Sequence, residues 1–240
     1  MFWWKSEVRP GVWVAFTDAG AGNLALHVDD DAAEVLRRRE LLEAEVGLKG
    51  SRFQYMNQVH GSAVAVIGGP AASPAVANPV IAAPTADAMV SIGLPLAVMV
   101  ADCVPVVLVG ETEAGEPVLG VAHAGRPGVA SGVVPGTVTE MRAAGATTIR
   151  AWIGPSICGS CYEVPGDLRA EVAAIVPATG STTSWGTPAL DLPAGVRSQL
   201  ASLGVTVEYS GTCTLEQDGL FSYRRDKQTG RFAGLVWAHD

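Results

Sequence analysis

Three short segments place a soft or borderline metal ligand at the edge of an apolar run: His60 in NQVHG, Cys103 in ADC and His123 in VAHAGRPG. Two imidazole nitrogens and one thiolate form a donor set that suits Zn²⁺. The gaps of 43 residues (60 to 103) and 20 residues (103 to 123) are unlike the tight clusters of a closed structural zinc module. They fit a catalytic ion that keeps one position for water or substrate. The same residue types support a second chemistry, a thiolate–imidazolium pair in which Cys103 is the nucleophile and Asp102 or another acid orients the base. A plainer reading stands beside both, with histidines at strand ends and a cysteine acting as a small core hydrophobe. A serine nucleophile has no support, because no G-x-S-x-G elbow is present.

Two further groups draw attention. Cys158 and Cys161 form a C-x-x-C pair, CGSC, with Cys213 as the remaining thiol and no second C-x-x-C. It reads as a turn or packing feature, and it does not open a helix in a βαβ unit as a thioredoxin-like motif does. Near the C-terminal end Tyr223, Arg224, Arg225 and Arg231 surround a Thr-Gly turn. Arginines clamp phosphate or carboxylate with paired hydrogen bonds, although surface ion pairs are their ordinary use.

The elements that must position these residues are legible from apolar patterning. Strands are expected at VWVAF (12–16), NLALHV (23–28), AVAVI (63–67), AMVSI (88–92), LAVMV (96–100), PVVLV (105–109) and PVLGVAHA (117–124), with a turn at Pro105. Further strands are expected at IRAWIG, VTVEYS, LFSYRR and AGLVWA. Asp29, Asp30 and Asp31 supply the cap and first-turn charge of a helix that runs to about Gly47 and carries Val35, Leu42 and Val46 on one face. One helix is expected over 128–145, kinked or started by Pro135, and two more at DLRAEVAAIV and LPAGVRSQLASLG. Residues 68–86, rich in Pro, Ala and Gly, read as a long surface loop, either a lid or a tolerated insertion. Strands and helices interleave without regular alternation, which predicts one α+β domain over 1–240 with mixed sheet and helices packed outside.

The 240 residues are 48% hydrophobic and 17% charged, as expected of a packed core. The net charge is −8 and no basic cluster exceeds Arg37 to Arg39, which argues against nucleic acid as a partner. No apolar run is long enough to span a bilayer, since ADC interrupts the best candidate, and the N-terminal segment lacks the layout of a signal peptide. Four cysteines without a secretion signal predict reduced thiols and a cytoplasmic location.

Taken in order, NQVHG, TADAMVS, ADCVPVVL, GVAHAGRPG, WIGPSICGSCYEV, LDLPAGVRSQLASLGV, CT and FSYRRDKQTGRFAGLVW resemble the YfiH family, also called the laccase-domain or multicopper polyphenol oxidase family. With NLALHVDDDAAEVLRRRELL the resemblance covers nearly the whole chain. It implies an α/β/β/α sandwich and a zinc ion held by His60, Cys103 and His123. Asp102, beside the thiolate, is then expected either to orient His60 or His123 or to bond backbone at the strand end. It implies phosphorolysis of purine nucleosides (adenosine, inosine, guanosine and methylthioadenosine) to base and ribose 1-phosphate, with adenosine deamination as a second activity. From the residues themselves, Arg126, Tyr223 and Arg224 are the expected substrate contacts. Purine nucleosides and phosphate are therefore the implied small-molecule partners. Two departures stand out. The family's HAGWRG reads HAGRPG here, with Arg126 and Pro127 in place of Trp and Arg, and Asp18 in TDAGAG takes the place of an arginine, where its charge is expected to repel phosphate. Alternatives are a copper polyphenol oxidase, a cysteine amidase or hydrolase acting on a cell-wall precursor, and a weakened paralogue that binds nucleoside without turnover.

Overall fold

The computed structural model describes residues 1–48, 50–68 and 83–239. Along the chain the strands are β1 (Phe2–Arg9), β2 (Val12–Thr17), β3 (Val64–Ile67), β4 (Ala88–Ile92), β5 (Leu96–Val100), β6 (Val104–Glu111), β7 (Pro117–Ala124), β8 (Thr148–Ile153), β9 (Gly180–Thr182), β10 (Pro188–Leu190), β11 (Thr206–Tyr209) and β12 (Phe232–Ala238). The helices are α1 (Ala32–Glu45), α2 (Arg126–Ser131), α3 (Val133–Ala143), α4 (Gly166–Ile175) and α5 (Leu192–Ser202).

One sheet has the order β1-β2-β12-β5 and is antiparallel throughout. A six-stranded sheet, β11-β8-β6-β7-β4-β3, is mixed, with parallel pairs at its two edges and antiparallel pairs between, and β9 and β10 form a separate antiparallel pair. The central strands are apolar at nearly every residue because both of their faces are covered. In β6, Val104, Val106 and Leu108 pack into the core under α2 to α5, while Val107 and Val109 pack against the four-stranded sheet. In β7, Val118 and Ala122 take the first side, Leu119 and Val121 the second. On the far side of the four-stranded sheet, Ala15, Ala97, Leu235 and Trp237 pack with Leu42 and Val46 of the α1 region. The result is a four-layer α/β/β/α domain with mixed sheet, as expected.

The cap expected at Asp31 is present, and Asp191, not expected as one, caps α5. Asp31 Oδ1 accepts the Ala33 N–H at 2.8 Å and Asp191 Oδ1 accepts that of Ala194 at 2.8 Å, each contributing about 1 kcal/mol. The helix expected over 128–145 is instead two. Gly132 adopts φ 84°, a left-handed break, and Pro135 sits in the first turn of α3, where its missing N–H does no harm.

Other expectations are corrected. NLALHV is not a strand, because the Asn23 side chain accepts the Ala25 N–H and donates to the Ala25 carbonyl, folding the segment onto itself. LFSYRR is a turn, pinned by Arg225, whose guanidinium donates to the carbonyls of Thr214, Leu215, Gln217 and Leu220. Pro105 lies inside β6, and the turn precedes it. Most of the loop expected at 68–86 lies outside the described residues. β1 was not anticipated.

Candidate metal centre and its cavity

The chain crosses from one sheet to the other in three residues, Ala101, Asp102 and Cys103, between the end of β5 and the start of β6. Asp102 turns the corner with φ 85°. Among the described residues only one other non-glycine residue has a positive φ, His60 at 62°. Left-handed backbone at such positions costs of order 1–3 kcal/mol and persists only where the surroundings enforce it. Here the enforcement is visible. Asp102 Oδ1 accepts from Thr214 Oγ1 and Oδ2 from the Arg224 backbone N–H, both at 2.6 Å.

His60 is held by a residue the sequence reading passed over. Asp87, fully buried just before β4, accepts the backbone N–H groups of Val59, His60 and Gly61 at 3.3, 2.9 and 2.6 Å. Its Oδ1 also lies 2.8 Å from Nδ1 of His123, which is 3% exposed near the end of β7. One carboxylate thus fixes the loop that carries the first histidine and the ring of the second. With Nδ1 directed at Asp87, Nε2 is the His123 atom left to face the site and, once deprotonated, to hold an ion. The orienting role expected of Asp102 falls to Asp87. The available signal was an acid lodged between alanines at the mouth of an apolar strand, the same pattern as ADC.

The ligand atoms of His60, Cys103 and His123 all lie within 4.8 Å of one another. His60 Nε2 is 3.7 Å from Cys103 Sγ, and the two imidazole centroids are 4.7 Å apart. Nitrogen and sulfur on one tetrahedral Zn²⁺ stand roughly 3.5 Å apart, so the donor set fits that ion. Gly125 closes the back of the cradle. A Cβ there would lie 2.8 Å from His60 Cδ2 and 3.2 Å from Cys103 Sγ, so only glycine fits between the ligands.

With no ion bound, Cys103, His123 and Asp87 shift one another's titration. Burial opposes charge on Cys103, yet His123 and His60 bring its thiol down to about 6. Burial likewise opposes charge on His123, but the Cys103 thiolate and the Asp87 carboxylate push it up to about 9. Asp87 is held below the usual carboxylate range, burial being outweighed by His123 and the Gly61 N–H.

The three residues line a cavity of about 590 Å³. Arg126, Arg224, Lys227 and Arg231 also line it, and among the described residues Asp102 is the only carboxylate in its wall. In a chain of net charge −8 this is a local reversal of sign. Tyr223, 47% exposed, stands at the wall with Lys227 4.3 Å from its ring centroid, and Arg224 lies 5.0 Å from the ring centroid of Tyr162. His60, Asp102, Cys103, His123, Arg126, Tyr223 and Arg224, all expected at the site, border this cavity, whereas Arg225 of the same cluster does not. His27, Tyr162 and Lys227 were missed; NLALHV reads as a strand in sequence, which hides that its turn delivers His27 to the wall. Burial lowers His27, with Arg231 adding to the effect, so it is a neutral donor or acceptor near pH 7. Asp18 is absent from the wall. It accepts the Gly20 N–H at 2.8 Å and caps a short turn instead.

A family model described as multi-copper polyphenol oxidoreductase laccase matches residues 13–239. The chain belongs to that family. Among its relatives in the family, a Streptomyces griseus protein named purine nucleoside phosphorylase ORF3 is 49% identical over 237 residues, covering 93% of each chain. A Streptomyces coelicolor protein, also named a purine nucleoside phosphorylase, is 47% identical and covers 95% of this chain and 96% of its own. Of solved structures, YlmD from Geobacillus stearothermophilus superposes with a TM-score of 0.83 at 29% identity, covering 98% of both chains. Bacillus licheniformis YfiH does so with a TM-score of 0.82 at 26% identity, covering 95% of this chain and 93% of that one. Among the described residues no helix is long and apolar enough to cross a membrane.

Proposed function

We propose that this laccase-family chain is a zinc-dependent purine nucleoside phosphorylase that also deaminates adenosine. The observation that carries this reading is the meeting, in one cavity, of a His₂Cys donor set and four cationic side chains. The names of the Streptomyces relatives support the substrate class. The cavity volume lies within the range that encloses small ligands.

In phosphorolysis a phosphate oxygen forms a bond to C1′ as the C1′–N9 bond breaks, and the base leaves with the electron pair. Arg126, Arg224, Lys227 and Arg231 supply the counter-charge that gathers phosphate in the cavity. The ring faces of Tyr223 and Tyr162 offer stacking surfaces for a purine. Asp87 keeps the His123 Nδ1 proton in place, so the ring cannot switch tautomer while Nε2 serves as a ligand. A Zn²⁺ bound by His60, Cys103 and His123 supplies Lewis acidity and an activated water near neutral pH, the chemistry that deamination at the purine C6 requires.

The test is product analysis after incubation with adenosine, with and without phosphate. Adenine formed only with phosphate supports phosphorolysis, inosine supports deamination, and neither product contradicts the reading. Copper oxidation of phenols fits poorly, since several copper ions need many histidines. This chain has four, and His239 is engaged with Trp237, whose Nε1–H donates to its Nε2 at 3.0 Å.

A second reading rests on the order Asp87, His123, Cys103, which resembles a nucleophile, base and orienting acid in an amidase or hydrolase. It requires activity that survives a chelator and is lost on alkylating Cys103; zinc chemistry requires activity that the chelator removes.

A further inference from the structure

Three cysteines lie outside the site just described, and the fold brings them together. Cys158 and Cys161 sit on the turn after β8, and Cys213 follows β11. Their sulfurs and a carboxylate oxygen of Glu216 all lie within 4.8 Å of one another. Cys161 Sγ is 3.5 Å from Glu216 Oε1. The Cys158 backbone N–H donates to Cys213 Sγ at 3.4 Å, the kind of contact that stabilises a thiolate ligand. All three are free thiols.

We propose that Cys158, Cys161, Cys213 and Glu216 form a second, closed metal site that takes Zn²⁺ in a structural role. Sulfur and oxygen on one tetrahedral Zn²⁺ are roughly 3.5 Å apart and two sulfurs roughly 3.8 Å, which the cluster reaches with little adjustment. Four protein ligands leave no position for substrate, the mark of a structural site. Three thiolates and one carboxylate carry the same formal charge as a four-cysteine zinc site. Cys161 and Cys213 are buried, whereas Glu216 is exposed and gives the ion a way in. A disulfide uses two of these sulfurs and leaves a third thiol and a carboxylate with no part to play; an ion uses all four donors. The C-x-x-C pair alone reads as packing, because its two partners come from a segment remote in sequence.

The second site shares no ligand with the first but braces its wall. The Ile157 N–H donates to the Asp102 carbonyl at 3.0 Å, Thr214 Oγ1 holds the Asp102 carboxylate, and Tyr162, next to Cys161, lines the cavity. An ion here ties the turn that carries Tyr162 to the segment that carries Thr214.

Cys103→Ser isolates the cluster, because it removes the only thiol of the first site. The full-length variant, purified under reducing conditions and titrated with Co²⁺ alone, is expected to bind one ion with a strong thiolate-to-cobalt charge-transfer band that Zn²⁺ abolishes. Any Co²⁺ left on His60 and His123 gives no such band. Glu216→Gln in this background, a change at an exposed side chain, is expected to weaken Co²⁺ binding about tenfold or more while the band persists at saturation. Absence of the charge-transfer band in Cys103→Ser overturns the proposal. So does unchanged affinity in Cys103→Ser/Glu216→Gln. A freshly purified, unreduced chain in which two of the three thiols are missing and return only with reductant also overturns it, in favour of a disulfide.

Discussion

Oδ1 of Asp87 lies 2.8 Å from Nδ1 of His123, and both side chains are buried. Because the same carboxylate gathers three successive N–H groups of the His60 loop, both imidazole ligands depend on one buried charge.

Replacing Asp87 with Asn tests that dependence. Asn keeps the shape but loses the charge, and its NH₂ must face a donor. Zinc affinity is expected to fall about 10–100-fold, the usual cost of disturbing a group that orients a ligand. Unfolding stability is expected to fall by about 1.5–3 kcal/mol, since charged hydrogen bonds are lost in a buried setting. Metal competition and denaturant titration read the two effects. Unchanged affinity means that Asp87 does not position the ligands.

Gly125→Ala probes the closeness of the cradle. Its added methyl meets His60 Cδ2 and Cys103 Sγ well inside ordinary contact distance. One imidazole must swing away, so metal content is expected to drop sharply while circular dichroism stays native. A fully loaded Gly125→Ala protein means that the ligands sit farther apart than described.

The metal-free chain should show a pH signature in thiol chemistry. Cys103 titrates near 6 beside His123, whereas burial pushes Cys158 and Cys161 above the ordinary thiol range. Only the thiolate is alkylated. Iodoacetamide at pH 7 is therefore expected to label Cys103 first, with a rate that falls as pH drops through about 6. His123→Gln removes the first-named attraction, so the midpoint should move toward the ordinary thiol value. Peptide mass spectrometry across pH measures both. Equal labelling of all four cysteines contradicts the electrostatic description.

Charge in the cavity is tested by a pair of variants. Arg224→Ala is expected to raise the KM for phosphate about tenfold or more, the scale of one charge-assisted hydrogen bond. Asp18→Asn is expected to leave phosphate kinetics within about twofold, because Asp18 caps a turn away from the wall. The opposite ranking means that phosphate approaches from the Asp18 side.

Sequence patterning revealed those parts of the fold where local and tertiary preferences coincide. β6 and β7 are apolar on both faces because they are central strands, and Asp31 caps its helix through a bond within two residues. It failed where side chains compete with the backbone. Asn23 and Arg225 satisfy backbone groups that a strand would have paired, so two β-rich segments form turns. β1 escaped notice because an edge strand with exposed Trp3 and Trp4 lacks the alternation of a half-buried one. At the site, residue type singled out His60, Cys103 and His123, but not Asp87, whose importance comes from the four groups that converge on it. Nor did spacing bring Glu216 to the cysteines, since that meeting depends on how the segment after β11 returns beside the segment after β8.

The most direct measurement is anomalous diffraction at the zinc edge, using crystals of the full chain purified without added copper. The expected result is a peak bonded to His60 Nε2, Cys103 Sγ and His123 Nε2, with Asp87 still against His123 Nδ1. Crystals soaked in zinc that show no anomalous peak between these three atoms would contradict the central claim.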